Sequence, residues 1–177
     1  MNDARILIVD DDPDVRQAAA LALAPQVNGC DETTSPAEAA RMAGARRYDA
    51  VLLDMNFLAG DRNGEAGLAA LADLREADPA LGVVFLTAYG GVSLAVQAMK
   101  QGGDDFLLKP WRNAQLIAAV RDAVARTEAR RRAPTLAAVE QSTIAEALQR
   151  HDGNISRAAA SLGLTRQALY RRLARDG

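Results

Sequence analysis

Four short apolar runs punctuate the first 110 residues, and each ends on a polar or charged side chain. Ile6-Leu7-Ile8-Val9 runs into Asp10, Asp11 and Asp12, and Val51-Leu52-Leu53 into Asp54. Val83-Val84-Phe85-Leu86 runs into Thr87, and Phe106-Leu107-Leu108 into Lys109-Pro110. Continuous apolar runs of this length suit strands of a parallel sheet buried on both faces. A weaker strand is expected at 28–32. Helix-like stretches fill the gaps at 13–24, 36–43, 65–77 and 92–101, and another from Asn113 stacks Leu116, Val120 and Val124 on one face. Pro13 and Pro36 stand at first-turn positions, and Ser35 with Glu38 forms a capping-box pattern. Five successive βα units predict an α/β domain with an open, doubly wound, five-stranded parallel sheet.

Beyond residue 126 the strand pattern stops. Three helix-like segments follow, at 136–150, 155–162 and 165–174. Gly153 is a natural helix stop and Asn154 an N-cap; Gly163-Leu164 makes a tight turn, and Thr165 caps the last helix. Two short helices joined by a glycine-containing turn read as a helix-turn-helix, here in a small all-α domain. The expected division is therefore a first domain over 1–125, a basic linker over 126–135, and a second domain over 136–177; the alternative is that the helix from Asn113 runs on through Arg126, Glu128 and Arg130-Arg131-Arg132 until Pro134 stops it.

Charge adds to this division. The 177 residues carry a net charge of −2. Residues 1–125 hold 18 acids against 11 bases, whereas 126–177 hold 5 acids against 10 arginines. The basic segment fits a polyanionic partner such as nucleic acid. Cys30 is the single cysteine, so no internal disulfide can form, and a reducing cytoplasm is the expected compartment. No apolar stretch approaches the roughly 18 residues that would span a bilayer, so no membrane association is expected.

In a doubly wound sheet, ligand groups collect beyond the carboxyl ends of the strands, at the topological switch point. The strand ends would bring Asp10, Asp11, Asp54, Thr87 and Lys109 into one crevice. Asp54 can attack a phosphoryl donor and form an acyl phosphate. Because both reactants are anionic, a bridging cation is needed; Asp10 and Asp11 suit Mg²⁺, which favours a few carboxylates with waters and phosphate oxygens. Lys109 can pair with a phosphoryl oxygen, and the Thr87 hydroxyl can donate to another. Asp12 and Asp14 suit capping of the first helix.

Ile-Val-Asp-Asp-Asp, Leu-Leu-Asp-Met-Asn, Leu-Thr-Ala and Leu-Lys-Pro, in this order over residues 4–125, resemble the receiver domain of two-component response regulators. The resemblance implies a flavodoxin-like fold and phosphorylation of Asp54 by a sensor histidine kinase. It assigns Mg²⁺ to Asp10, Asp11, Asp54 and the backbone carbonyl of Asn56, and a switch to Thr87 and Phe106. One departure is a longer stretch after Asp54, with Leu58 where receivers usually have proline. A dehalogenase-type phosphatase would also use an aspartate nucleophile, but its acid/base position is Asn56 here.

Gly153-Asn154-Ile155-Ser156-Arg157-Ala158-Ala159 and Leu162-Gly163-Leu164-Thr165-Arg166-Gln167-Ala168-Leu169-Tyr170-Arg171-Arg172-Leu173 resemble the Fis-type DNA-binding domain. That resemblance places Asn154, Thr165, Arg166, Gln167, Tyr170, Arg171 and Arg172 at double-stranded DNA, with Leu164, Leu169 and Leu173 packed inward. Arginine suits a guanine edge or phosphate, and glutamine an adenine edge. Leu136, Val139, Ile144, Ala147 and Leu148 form an apolar stripe that in the resembled family builds a homodimer. The two resemblances together imply a phosphorylation-dependent transcription regulator rather than an enzyme; the alternative is a phosphorelay or kinase-binding protein without sequence-specific DNA recognition. No Walker-type phosphate-binding stretch occurs, so ATP-driven remodelling is not expected.

Overall fold

Among the described residues, five strands pair in parallel in the order β2–β1–β3–β4–β5. They are β1 (Arg5–Val9), β2 (Gly29–Thr33), β3 (Ala50–Asp54), β4 (Gly82–Thr87) and β5 (Asp105–Leu108). The computed structural model describes residues 1–55, 65–88, 92–133 and 136–175. Helices α1 (Pro13–Leu23), α2 (Pro36–Ala45), α3 (Glu65–Ala77) and α4 (Val92–Lys100) link successive strands, and α5 (Asn113–Arg132) follows β5.

Alternating side chains of the buried strands feed two cores. Leu7, Val9, Val51, Leu53, Val83 and Phe85 face α2, α3 and α4, meeting Ala39, Leu68, Leu71, Leu74 and Ala98. Ile6, Ile8, Leu52, Val84 and Leu86 face the other way, onto Ala19 and Leu23 of α1 and Leu116, Val120 and Ala123 of α5. Every residue of β3 and β4 is buried, as the unbroken apolar runs require. β2 alternates less and is only half buried, which explains its faint signal in the sequence. The register sets the site: Val9 lies level with Leu53, and Thr87 with Leu108. The residues that follow these pairs emerge at the same edge.

The chain divides into two compact units, Met1–Arg132 and Ala133–Gly177. Of the stretch expected as linker, 126–132 is the final part of α5, the continuation of that helix through the basic run. Thr127 is fully buried there and accepts a 2.7 Å hydrogen bond from the Gly82 amide. Arg130 and Arg131 fork onto Asp104, Asp49 and Asp78, so the arginines that looked free belong to the first unit. The capping box is also only half made. Ser35 caps α2 by accepting from the Glu38 amide, but the Ser35 amide donates to Thr33 and the Glu38 carboxylate pairs with Arg41.

The second unit holds α6 (Leu136–Arg150), α7 (Ile155–Ser161) and α8 (Arg166–Arg175). Ile144, Ala147, Ala158, Ala159 and Leu169 form its small core, with Leu148, Ile155, Leu162 and Leu164 packed against it. No helix among the described residues is long and apolar enough to cross a membrane.

Candidate functional site

β1 and β3 are neighbours at the point where the sheet order reverses, and their carboxyl ends carry the acids. One carboxylate oxygen each from Asp10, Asp11 and Asp54 falls within 4.8 Å of the others. Asp10 and Asp54 are buried and Asp11 is exposed, so the cluster opens to solvent on one side. Lys109, just beyond β5, reaches across to place its Nζ 2.6 Å from Asp10 Oδ2 and 2.9 Å from Asp54 Oδ1. The Lys109–Pro110 peptide is cis. Asp10 also accepts from the Asp12 amide at 3.0 Å, while Asp12 caps α1 by accepting from the Asp14 amide.

The approach of Lys109 to Asp54 is an ion pair without hydrogen-bond alignment, for Asp54 Oδ1 is buried and has no hydrogen-bond partner. Burial, together with the nearby Asp54 charge, raises the Asp10 pKa despite the Lys109 bond. Burial opposes the Lys109 charge, but its hydrogen bond to Asp10 and its pairing with the Asp54 carboxylate prevail and raise its pKa. One ammonium thus serves two carboxylates: it gains by the arrangement, while Asp10 stays under strain. Three clustered acids and an orphaned buried carboxylate oxygen fit a hard divalent cation.

Thr87 is fully buried at the end of β4, and its carbonyl accepts from the Lys109 amide at 2.7 Å. Phe106 on β5 is half buried against the core that faces α4. The Asn56 carbonyl and the long segment containing Leu58 lie outside the described residues. Beside the site, a groove of about 500 Å³ runs between Asp12, Val15, Ala18, Lys109, Pro110 and Trp111.

In the second unit, Asn154 Oδ1 caps α7 by accepting from the Arg157 amide, and Thr165 Oγ1 caps α8 by accepting from the Ala168 amide. Gly163 takes the left-handed conformation (φ 66°) that the turn between the two helices requires. Arg166, Gln167, Tyr170 and Arg171 share the exposed side of α8, with the Arg166 guanidinium 5.6 Å from the Tyr170 ring centre. Arg172 is half buried and ion-paired with Glu140 of α6. Leu173 is 38% exposed, which corrects its expected inward packing; of the α8 leucines it is Leu169 that enters the unit's core.

Residues 6–121 match the family model described as the response regulator receiver domain. The chain belongs to the response regulator receiver family. Past the receiver, residues 135–175 match the model for the bacterial regulatory protein, Fis family. The transcriptional regulatory protein PrrA of Mycobacterium bovis is 36% identical over 119 residues, which is 66% of this chain and 48% of that protein. FixJ of Azorhizobium caulinodans is 36% identical over 123 residues, 68% of this chain and 54% of that one. The chain spans about half the length of these curated relatives. A response regulator from Burkholderia pseudomallei, crystallised with a phosphorylated aspartic acid, a calcium ion and citrate, is 27% identical with a TM-score of 0.60. That comparison covers 96% of this chain and 98% of the other.

The receiver brings Asp10, Asp11, Asp54 and Lys109 into one pocket, with Thr87 on the next strand. Sequence reasoning missed Arg16, Asp104 and Thr127. Arg16 donates to the backbone at the end of β1, Asp104 collects arginines, and Thr127 satisfies a strand amide. None sits at the end of an apolar run, so the pattern that located the acids could not find them.

Proposed function

We propose that this response regulator is a DNA-binding transcription regulator controlled by phosphorylation of Asp54. Its partners are a sensor histidine kinase and double-stranded DNA, which it binds as a homodimer. A carboxylate oxygen of Asp54 forms a bond to phosphorus as the nitrogen–phosphorus bond of the donor breaks, and the leaving imidazole keeps the electron pair and takes a proton. Asp10, Asp11 and Asp54, with the Asn56 carbonyl, would hold Mg²⁺, which when bound neutralises phosphoryl charge and orients the incoming group. Lys109 pairs with a phosphoryl oxygen instead of both carboxylates. The Thr87 hydroxyl moves toward the phosphoryl group, and Phe106 follows inward.

In the second unit α8 enters the major groove, with Arg166 and Gln167 on base edges and Tyr170 and Arg171 beside them. Asn154 and Thr165 flank the backbone, and Arg172 reaches it only on release from Glu140. The observation that carries this reading is Lys109 held between Asp10 and Asp54, on a chain that also matches the Fis family.

The test compares DNA binding by the wild type with and without acetyl phosphate and Mg²⁺, and by Asp54→Ala. Affinity should rise about 10- to 100-fold for the treated wild type only, a coupling of roughly 1.4–2.8 kcal/mol. Superimposable curves for all three would sink the switch. Loss of sequence preference in neither Arg166→Ala nor Gln167→Ala would instead favour a phosphorelay role.

A further inference from the structure

Arg16, on the first turn of α1, aims its guanidinium backward at the loop that carries the acids. Its Nη1 donates to the Asp10 carbonyl at 2.8 Å and to the Asp11 carbonyl at 3.2 Å. Its Nε is anchored on Glu32 of β2 at 3.2 Å, and the side chain is only 16% exposed. These two carbonyls belong to the peptide units on either side of the Asp11 Cα. Holding both fixes the backbone dihedrals of Asp11 and so the direction in which its carboxylate leaves the chain.

The other acids do not need this help. Asp10 is held by the Asp12 amide and Lys109, and Asp54 sits at the end of a central strand beside Lys109. Among the described residues, the exposed Asp11 carboxylate has no hydrogen bond of its own. We propose that Arg16 is a positioning residue for the divalent-cation site, aiming Asp11 at the metal through the Asp10 and Asp11 carbonyls with Glu32 as its brace. This assignment rests on the metal-site reading above.

Charge and positioning predict opposite signs. A cation beside a cation site repels the metal, so if Arg16 mattered only as a charge, its removal would tighten binding. If it positions Asp11, its removal weakens binding. Mg²⁺ affinity is measured by calorimetry on the full chain without a phosphoryl donor, for the wild type, R16Q, R16K and E32Q, with melting curves recorded in parallel. R16Q should bind about tenfold more weakly, in the range found when supports of metal ligands are removed. R16K, which can hold one carbonyl, should recover part of the loss, and E32Q should lose less than R16Q. Unchanged or tighter binding by R16Q overturns the assignment while leaving the metal site standing. Absence of saturable Mg²⁺ binding by the wild type overturns both. Should R16Q fail to fold, R16K and E32Q decide: weakening in both supports the assignment, and wild-type affinity in both overturns it.

Discussion

Arg130, near the end of α5, closes a two-pronged ion pair on Asp104, the residue before β5, with nitrogen–oxygen distances of 3.1 and 2.5 Å. Asp104 is almost fully buried and also accepts from the Val83 amide at 2.9 Å and from Arg75 at 3.3 Å. Burial pulls the Arg75 pKa down, as does the neighbouring Arg130, so this carboxylate is what makes the two guanidiniums compatible. A fragment ending at residue 125 would leave Asp104 buried without Arg126 or Arg130. A fragment ending at 132 should therefore be more stable by at least about 3 kcal/mol, the low end for a broken buried pair because Arg130 is 36% exposed, with Thr127 and Arg131 adding to the difference. Equal urea midpoints for the two fragments would refute the clamp.

Thr127 and Gly82 give a second, uncharged test of the same α5 extension. The Gly82 amide has no solvent to turn to if the Thr127 hydroxyl is removed, and a buried orphan donor costs about 1–3 kcal/mol. Thr127→Val should lower the receiver's stability by that amount, and Thr127→Ser should restore most of it. Gly82→Ala should be worse than either, since a Cβ there would sit 2.6 Å from the Ala123 carbonyl oxygen. A Thr127→Val protein as stable as wild type would show that the bond contributes nothing.

What the sequence made legible was what repeats or ends a repeat. Apolar runs at 6–9, 51–53 and 83–86 announced β1, β3 and β4 because both faces of those strands are buried, and the acids stood where the runs stopped. Register then did the rest, setting Val9 beside Leu53. The arginines at 126–132 misled because a basic run reads as solvated; their partners Asp104, Asp49 and Asp78 lie 26, 82 and 53 positions away. Leu173 misled for a different reason: the Fis-type resemblance assigned it inward, but the small core of this unit takes Leu169 and leaves Leu173 exposed.

Metal and charge at the acid cluster should trade off visibly. Without a cation, Asp10 and Asp54 repel each other, and the single Lys109 serves both. Asp54→Asn removes that repulsion, so in chelator its receiver should melt a few degrees above wild type. Mg²⁺ at 100 times its dissociation constant should stabilise the wild type by about 2.7 kcal/mol and the variant by far less. A variant that melts lower in chelator and responds fully to Mg²⁺ would contradict the geometry of the site.

Cys30 on β2 offers a pH readout away from the acid cluster. Burial, then the charges of Glu32 and Asp31, push its thiol up to about 11. The folded pKa lies above the unfolded one, so the thiol favours folding below the unfolded pKa, and this is lost as pH rises through 11. At pH 8 iodoacetamide should modify native Cys30 roughly 100-fold more slowly than the urea-unfolded chain, because the thiolate fraction falls by that factor. The native rate should keep rising about tenfold per pH unit toward 11. A plateau near pH 9 would show an ordinary thiol.

Glu140 withholds a cation from the surface that α8 presents. Arg172 donates its Nε to Glu140 of α6 and its Nη1 to the Ala168 carbonyl, so its half-buried guanidinium is engaged within the unit. The unit's own charge is modest, with six arginines against four acids over 133–177, so one released guanidinium is a sizeable fraction of its field. Glu140→Gln should free Arg172 for a phosphate, raising non-specific DNA affinity and steepening the salt dependence by about one unit of log–log slope. Sequence preference should not change, because phosphate contacts position the helix without reading bases. Binding isotherms at several salt concentrations on specific and scrambled duplexes decide the point: an unchanged slope means that Arg172 was never within reach of the backbone, and its ion pair is then purely a tie between α6 and α8.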